Sequence, residues 1–115
     1  QDGVKAKFEI TNQTKYRIDS INIKSFDHSE TKNYLTLEPG ETKIYLLDMT
    51  NIPKVDGDYL LKYKNDKTGV YRERFGYFTN GYPLEKVTII KIKKKFLWID
   101  FDLNFYIMGI LIYIT

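Results

Sequence analysis

Asp100 and Asp102 are the residues of this chain whose type and spacing come nearest to doing chemistry. In extended chain, residues two apart share a face, so these carboxylates would stand beside Trp98 and Asn104. An indole next to acids and an amide is a sugar-binding arrangement: the ring stacks on the pyranose and the polar groups take its hydroxyls. Paired carboxylates could also serve as acid and base in glycoside hydrolysis. That needs one carboxyl in a pocket that raises its pKa. The plainer reading, and the preferred one, is the polar face of an amphipathic strand.

A second candidate is the aromatic stretch Tyr71, Phe75 and Tyr77 with nearby Tyr82. Arg72 and Arg74 are expected on the opposite face of the same strand. Tyrosine and arginine are common anchors of protein interfaces, so Tyr71, Arg72, Arg74, Tyr77 and Tyr82 form a candidate binding hairpin. Equally, one face is core and the arginines merely lie over the surface.

Other groups offer less. His28 is the sole histidine, in Asp27-His28-Ser29-Glu30, and triad members converge from separate elements rather than from sequence neighbours. One imidazole and no cysteine leave no zinc or thiolate site, and no cofactor motif is present. Asp56-Gly57-Asp58 and Asn65-Asp66 lack the closing acid of a calcium loop and read as turns. Asn12-Gln13-Thr14 matches a glycosylation acceptor and also a turn. No metal, no cofactor and no catalytic activity are expected.

The elements that must carry these residues are strands. With 115 residues the chain is long enough for one domain with its own core, expected over 1–115. Aromatic residues make up 16% of it, ten of them tyrosines, which favours strands. Val4, Ala6, Phe8 and Ile10 alternate with polar residues. Tyr16 to Phe26 reads as a second strand, whose apolar parity shifts between Ile18 and Ile21 and predicts a bulge near Asp19-Ser20. Asp27 to Lys32 is a polar loop. Leu35 and Leu37 share a short strand, and Glu38-Pro39-Gly40-Glu41 predicts a tight corner. Strands follow at Thr42 to Leu47 and Tyr59 to Tyr63. Val70 to Phe78 is expected to pair with Pro83 to Ile92 across Asn80-Gly81, the preferred type I′ signal.

The last twenty residues, Phe96 to Thr115, form an apolar tail. Leu97, Ile99 and Phe101 alternate with Trp98, Asp100 and Asp102, and from Phe105 to Ile114 there is no charge. Although Leu97, Phe101 and Phe105 stand one helical turn apart, β-branched and aromatic content favours extended chain. The uncharged part is too short for a spanning helix. Lys93-Lys94-Lys95 before it leaves membrane contact as a minor reading.

Phe8-Glu9-Ile10-Thr11-Asn12, then Leu37-Glu38-Pro39-Gly40-Glu41-Thr42, then Gly57-Asp58-Tyr59 resembles bacterial immunoglobulin-like accessory domains. The resemblance covers residues 4 to 63. It departs from antibody domains in having no cysteine pair and no tryptophan in a central strand. It implies a fold and a scaffold or binding role, and it carries over no catalytic residue.

The expectation is an all-β, antiparallel immunoglobulin-like sandwich of about seven to nine strands. Its expected role is a non-catalytic binding or assembly module of an exported protein, periplasmic, cell-surface or extracellular. Export is suggested by a sequence that starts at Gln1 rather than Met. It would act by surface recognition or by strand-mediated contact with a protein or a second copy. The alternative is a carbohydrate-binding domain using Trp98, Asp100 and Asp102. A net charge of +3, spread along the chain with arginine at just three positions, reads as solubility rather than nucleic-acid binding.

Overall fold

A computed structural model describes residues 3–27, 33–65, 69–93, 96–102 and 107–113. Every regular element among them is a strand: β1 (Lys5–Asn12), β2 (Ile18–Ser25), β3 (Leu35–Leu37), β4 (Thr42–Asp48), β5 (Gly57–Asn65), β6 (Gly69–Thr79), β7 (Tyr82–Pro83), β8 (Val87–Ile92), β9 (Phe96–Asp102) and β10 (Ile107–Tyr113). They form two five-stranded sheets, ordered β10-β9-β8-β1-β4 and β3-β2-β5-β6-β7. Ten strands exceed the seven to nine expected, because the tail supplies two and the Asn-Gly hairpin closes on the two-residue β7. All ladders are antiparallel except β1 with β8, which run parallel from Phe8↔Thr88 to Asn12↔Ile92.

The alternation read in the sequence becomes the core between the sheets. Ala6, Phe8 and Ile10 of β1 meet Ile18, Ile21 and Ile23 of β2 and Tyr59, Leu61 and Tyr63 of β5. Its centre is aromatic. The Phe8 ring stands edge-on to Tyr59 at 5.2 Å and to Phe75 at 5.8 Å, and Tyr59 lies 5.5 Å from Phe78. Such pairs add about 0.5–1.5 kcal/mol each beyond the area they bury.

Local signals behave as expected. In the bulge of β2, pairing shifts between Ile18 and Ile21 and Ser20 takes a positive φ of 55°. Buried Asn22 holds it by donating to the Ser20 carbonyl at 2.8 Å. At the Pro39-Gly40 corner the Glu41 N–H donates to the Glu38 carbonyl, with Gly40 at φ 81°. Asn80 and Gly81 both have positive φ, as a type I′ turn requires.

The expected hairpin of Val70 to Phe78 with Pro83 to Ile92 is corrected. Only Phe78↔Pro83 and Thr79↔Tyr82 pair. The chain then crosses to the other sheet, where β8 lies between β1 and β9. Proline lacks the N–H needed to extend the ladder, and the crossing buries Thr88, Ile90 and Ile92 instead. The tail is extended, as expected. β9 pairs with β8, β10 pairs with β9, and Ile99 is fully buried in the core. Residues 103–106 between them, and His28 and Asp66, lie outside the described residues.

Candidate functional site

The candidate residues fall into three separate places. Arg72 and Arg74 lie on the outer face of the second sheet, because Tyr71, Glu73 and Phe75 occupy the core-facing parity of β6. Tyr71 pairs with Tyr63 across the strands, ring centroids 5.3 Å apart, and packs against the core. Tyr71 is therefore an inner residue, as the opposite-face expectation required. Tyr77 departs from that expectation. Gly76 has φ 71°, and the register against β5 shifts between Gly57 and Tyr59. This bulge hands the core position to Phe78 and leaves Tyr77 exposed.

Tyr77 and Tyr82 belong instead to one end of the molecule. The Tyr77 hydroxyl donates to Asp56 Oδ2 at 2.7 Å, and the Asn80 N–H donates to Asp56 Oδ1 at 3.0 Å. These two bonds hold the Asp56 carboxyl below its ordinary pKa, the tyrosine first. Exposed Tyr82 takes the Lys54 ammonium over its ring at 4.6 Å.

Trp98, Asp100 and Asp102 lie in the other sheet. Their backbone occupies alternate positions of β9, opposite Lys91, Ile89 and Val87 of β8 and Leu111, Gly109 and Ile107 of β10. These positions alternate with buried Ile99. The side chains of the three lie outside what is described.

Around Arg72 and Arg74 the structure builds a face whose other members single-sequence reading passed over. Three rows cross it: Lys24–Leu60–Arg74, Asn22–Lys62–Arg72 and Asp19–Lys64–Val70. Leu60 is a leucine on the outer side of a sheet, yet it is 5% exposed. It forms a shallow depression with Phe26, Arg72, Glu73 and Arg74. Arg74 is fixed by a two-pronged pair with Asp58, at 2.8 and 3.0 Å, and its guanidinium lies 3.7 Å from the centre of the Phe26 ring. The Asp58 bond also holds Arg74 more firmly protonated. One clue was available: Lys62 and Lys64 alternate with Leu61 and Tyr63. The partners across the ladder were not.

The strand edges also differ. On β4, Lys43 occupies the core-facing parity shared with Tyr45 and Leu47, and its ammonium reaches the Thr36 carbonyl of β3 at 3.0 Å. β3 and β7 are three and two residues long. The part of β6 that runs beyond β7 carries Glu73 on its core-facing parity and the bulge at Gly76. Short strands, inward charges and bulges are the usual defences of an edge. β10 has none of them: seven residues, Ile107–Tyr113, without a charge or proline, paired among the described strands with β9 alone.

The buried Asn12 answers the glycosylation motif. Its amide donates to the Tyr16 and Leu37 carbonyls, and its Oδ1 accepts from the Thr14 N–H and hydroxyl. With no exposed surface, it is a structural turn residue rather than a modification site. Among the described residues no helix is long and apolar enough to cross a membrane.

No protein-family model matches the sequence, and no curated protein matches it.

Proposed function

We propose that this chain is a non-catalytic assembly module, an immunoglobulin-like sandwich that joins a second copy of itself by adding a strand along β10. The observation that supports this reading is the contrast between edges. Three are blunted by brevity, an inward charge or a bulge, and β10 is seven residues long, uncharged and, among the described strands, paired on one side alone. An edge of that kind is a template for another strand. Antiparallel pairing of β10 with its own copy is closed by a two-fold axis, so it produces a dimer rather than a fibre. The immunoglobulin-like assignment draws support from two largely antiparallel sheets with the chain crossing between them.

The test is mass in solution. The wild-type chain should sediment at twice 13.7 kDa. Leu111→Lys, which places a charge on the edge strand, should return it to a folded monomer. A wild-type chain that remains monomeric at high concentration sinks the proposal.

The alternation of positions 98, 100 and 102 along β9 is the placement that a carbohydrate site would need, and it keeps that reading as a second proposal. Glycans should then change the fluorescence of Trp98, the sole tryptophan; silence across a broad panel would remove it.

A further inference from the structure

We infer that the outer face of β2, β5 and β6 is a docking surface for an acidic protein segment in extended conformation. The inference is independent of any pairing at β10. It starts from a placement that works against the fold. Lys62 of β5 stands directly opposite Arg72 of β6. Like charges in that position destabilise a sheet. Lys64 follows two residues along β5, and Lys24 of β2 stands opposite Leu60, one row from Lys62.

None of the four finds a carboxylate among the described residues, whose ion pairs are Arg17 with Asp19 and Glu38, Lys43 with Glu41, and Arg74 with Asp58. The acids near the face do not neutralise it. Asp58 is taken by Arg74 and Asp19 by Arg17 and Thr36, while Glu73 sits on the opposite parity of β6. Exposed Asp27 sits on the Arg74 side and acts on that guanidinium. Lys64 stands opposite Asp19 as Lys5 stands opposite Asp48 on the other sheet, so the like-charge pair of Lys62 with Arg72 is what sets this face apart.

Spacing and shape select the occupant. Cations two residues apart on a strand are about 6.8 Å apart, and neighbouring strands about 4.8 Å. An extended peptide presents every second side chain on one side at the same 6.8 Å interval, roughly, so alternating carboxylates can meet Lys62 and Lys64 together. Single-stranded nucleic acid would need an aromatic surface for its bases. The aromatic ring here, Phe26, is already covered by the Arg74 guanidinium. Exposed Val70 gives such a peptide apolar ground beside the charges.

The experiment measures fluorescence anisotropy of a labelled synthetic peptide alternating Glu and Ser, at low salt, with heparin and single-stranded oligo-dT as competing probes. The peptide should bind, and about tenfold more weakly or worse in ~0.5 M salt, where charges are screened within about 4–5 Å. Lys62→Glu should lower its affinity by about tenfold or more. The same change should raise Tm by about 1–5 °C, since it turns a like-charge pair into an opposite one. Lost binding in a better-folded protein separates recognition from damage. Lys7→Glu, an equal charge change on the other sheet, should leave binding unaltered. No binding of the peptide, or equal loss in Lys7→Glu and Lys62→Glu, would overturn the inference. Tighter binding of heparin or oligo-dT than of the peptide would overturn the choice of occupant.

Discussion

The two ends of β1 are tied down by opposite chemistry. At its last residue, Asn12 is buried and neutral, and its side chain makes four hydrogen bonds that join β1 to the following turn and to β3. Backbone bonds from Gly40 to Asn12 and from Gln13 to Ile92 complete the knot. At the other end the ties are exposed and anionic. The Val4 N–H donates to the Thr50 hydroxyl, which donates to Asp48 at 2.6 Å, and nearby Asp56 gathers Tyr77 and Asn80. Both carboxyls are held below their ordinary pKa, chiefly by hydroxyl donors. A buried amide network is insensitive to pH and expensive to break. An exposed carboxylate network is replaceable by water and titrates away.

Breaking the buried end should have the larger effect. Asn12→Ala removes the amide's bonds to the Leu37 carbonyl and the Thr14 N–H, while the Thr14 hydroxyl and the Tyr16 carbonyl stay bonded to each other, and we expect a loss of about 3 kcal/mol in denaturant unfolding. A loss below about 1 kcal/mol would mean that water replaces the amide and that the two ends are alike.

The exposed end should respond to pH, in two directions. Asp56 is lowered when folded, so its contribution is present above the ordinary carboxylate range and is lost as pH falls through the folded value. Asp56→Asn should therefore lower Tm at pH 7, by an amount that shrinks below about pH 4. Half-buried Glu85, between β7 and β8, is raised by desolvation. Its contribution is full below the ordinary glutamate value and is lost as pH rises through the folded one. Glu85→Gln should therefore raise Tm at pH 7 and make no difference near pH 4. Parallel pH curves for wild type and both variants would remove the distinction between the ends.

What was legible in the sequence was local. The bulge at Ser20, the Pro39-Gly40 corner and the Asn80-Gly81 turn are each dictated by a few adjacent residues, and each formed as expected. The extended tail was legible from its alternation. Pairing between distant strands was not. Nothing in Val87 to Ile92 says that it leaves β6 for β1, since a strand buried on one side reads the same in either sheet. The cationic face was hidden for the same reason. Lys24, Lys62 and Arg72 become neighbours only through the register of three strands. The local pattern around Asn12 marks a turn and does not reveal that its amide also holds the Leu37 carbonyl, 25 positions along.

The parallel ladder of β1 with β8 sets an order of events as the chain leaves the ribosome. Phe8 must wait for Thr88 before that side of its strand is hydrogen-bonded, whereas β5 and β6 are neighbours in sequence and can close early. Separations of that length make folding slow, on the order of milliseconds to seconds. Through that interval β1 is an open invitation to mispairing, which its two lysines and one glutamate, Lys5, Lys7 and Glu9, help to discourage by keeping charge on the strand.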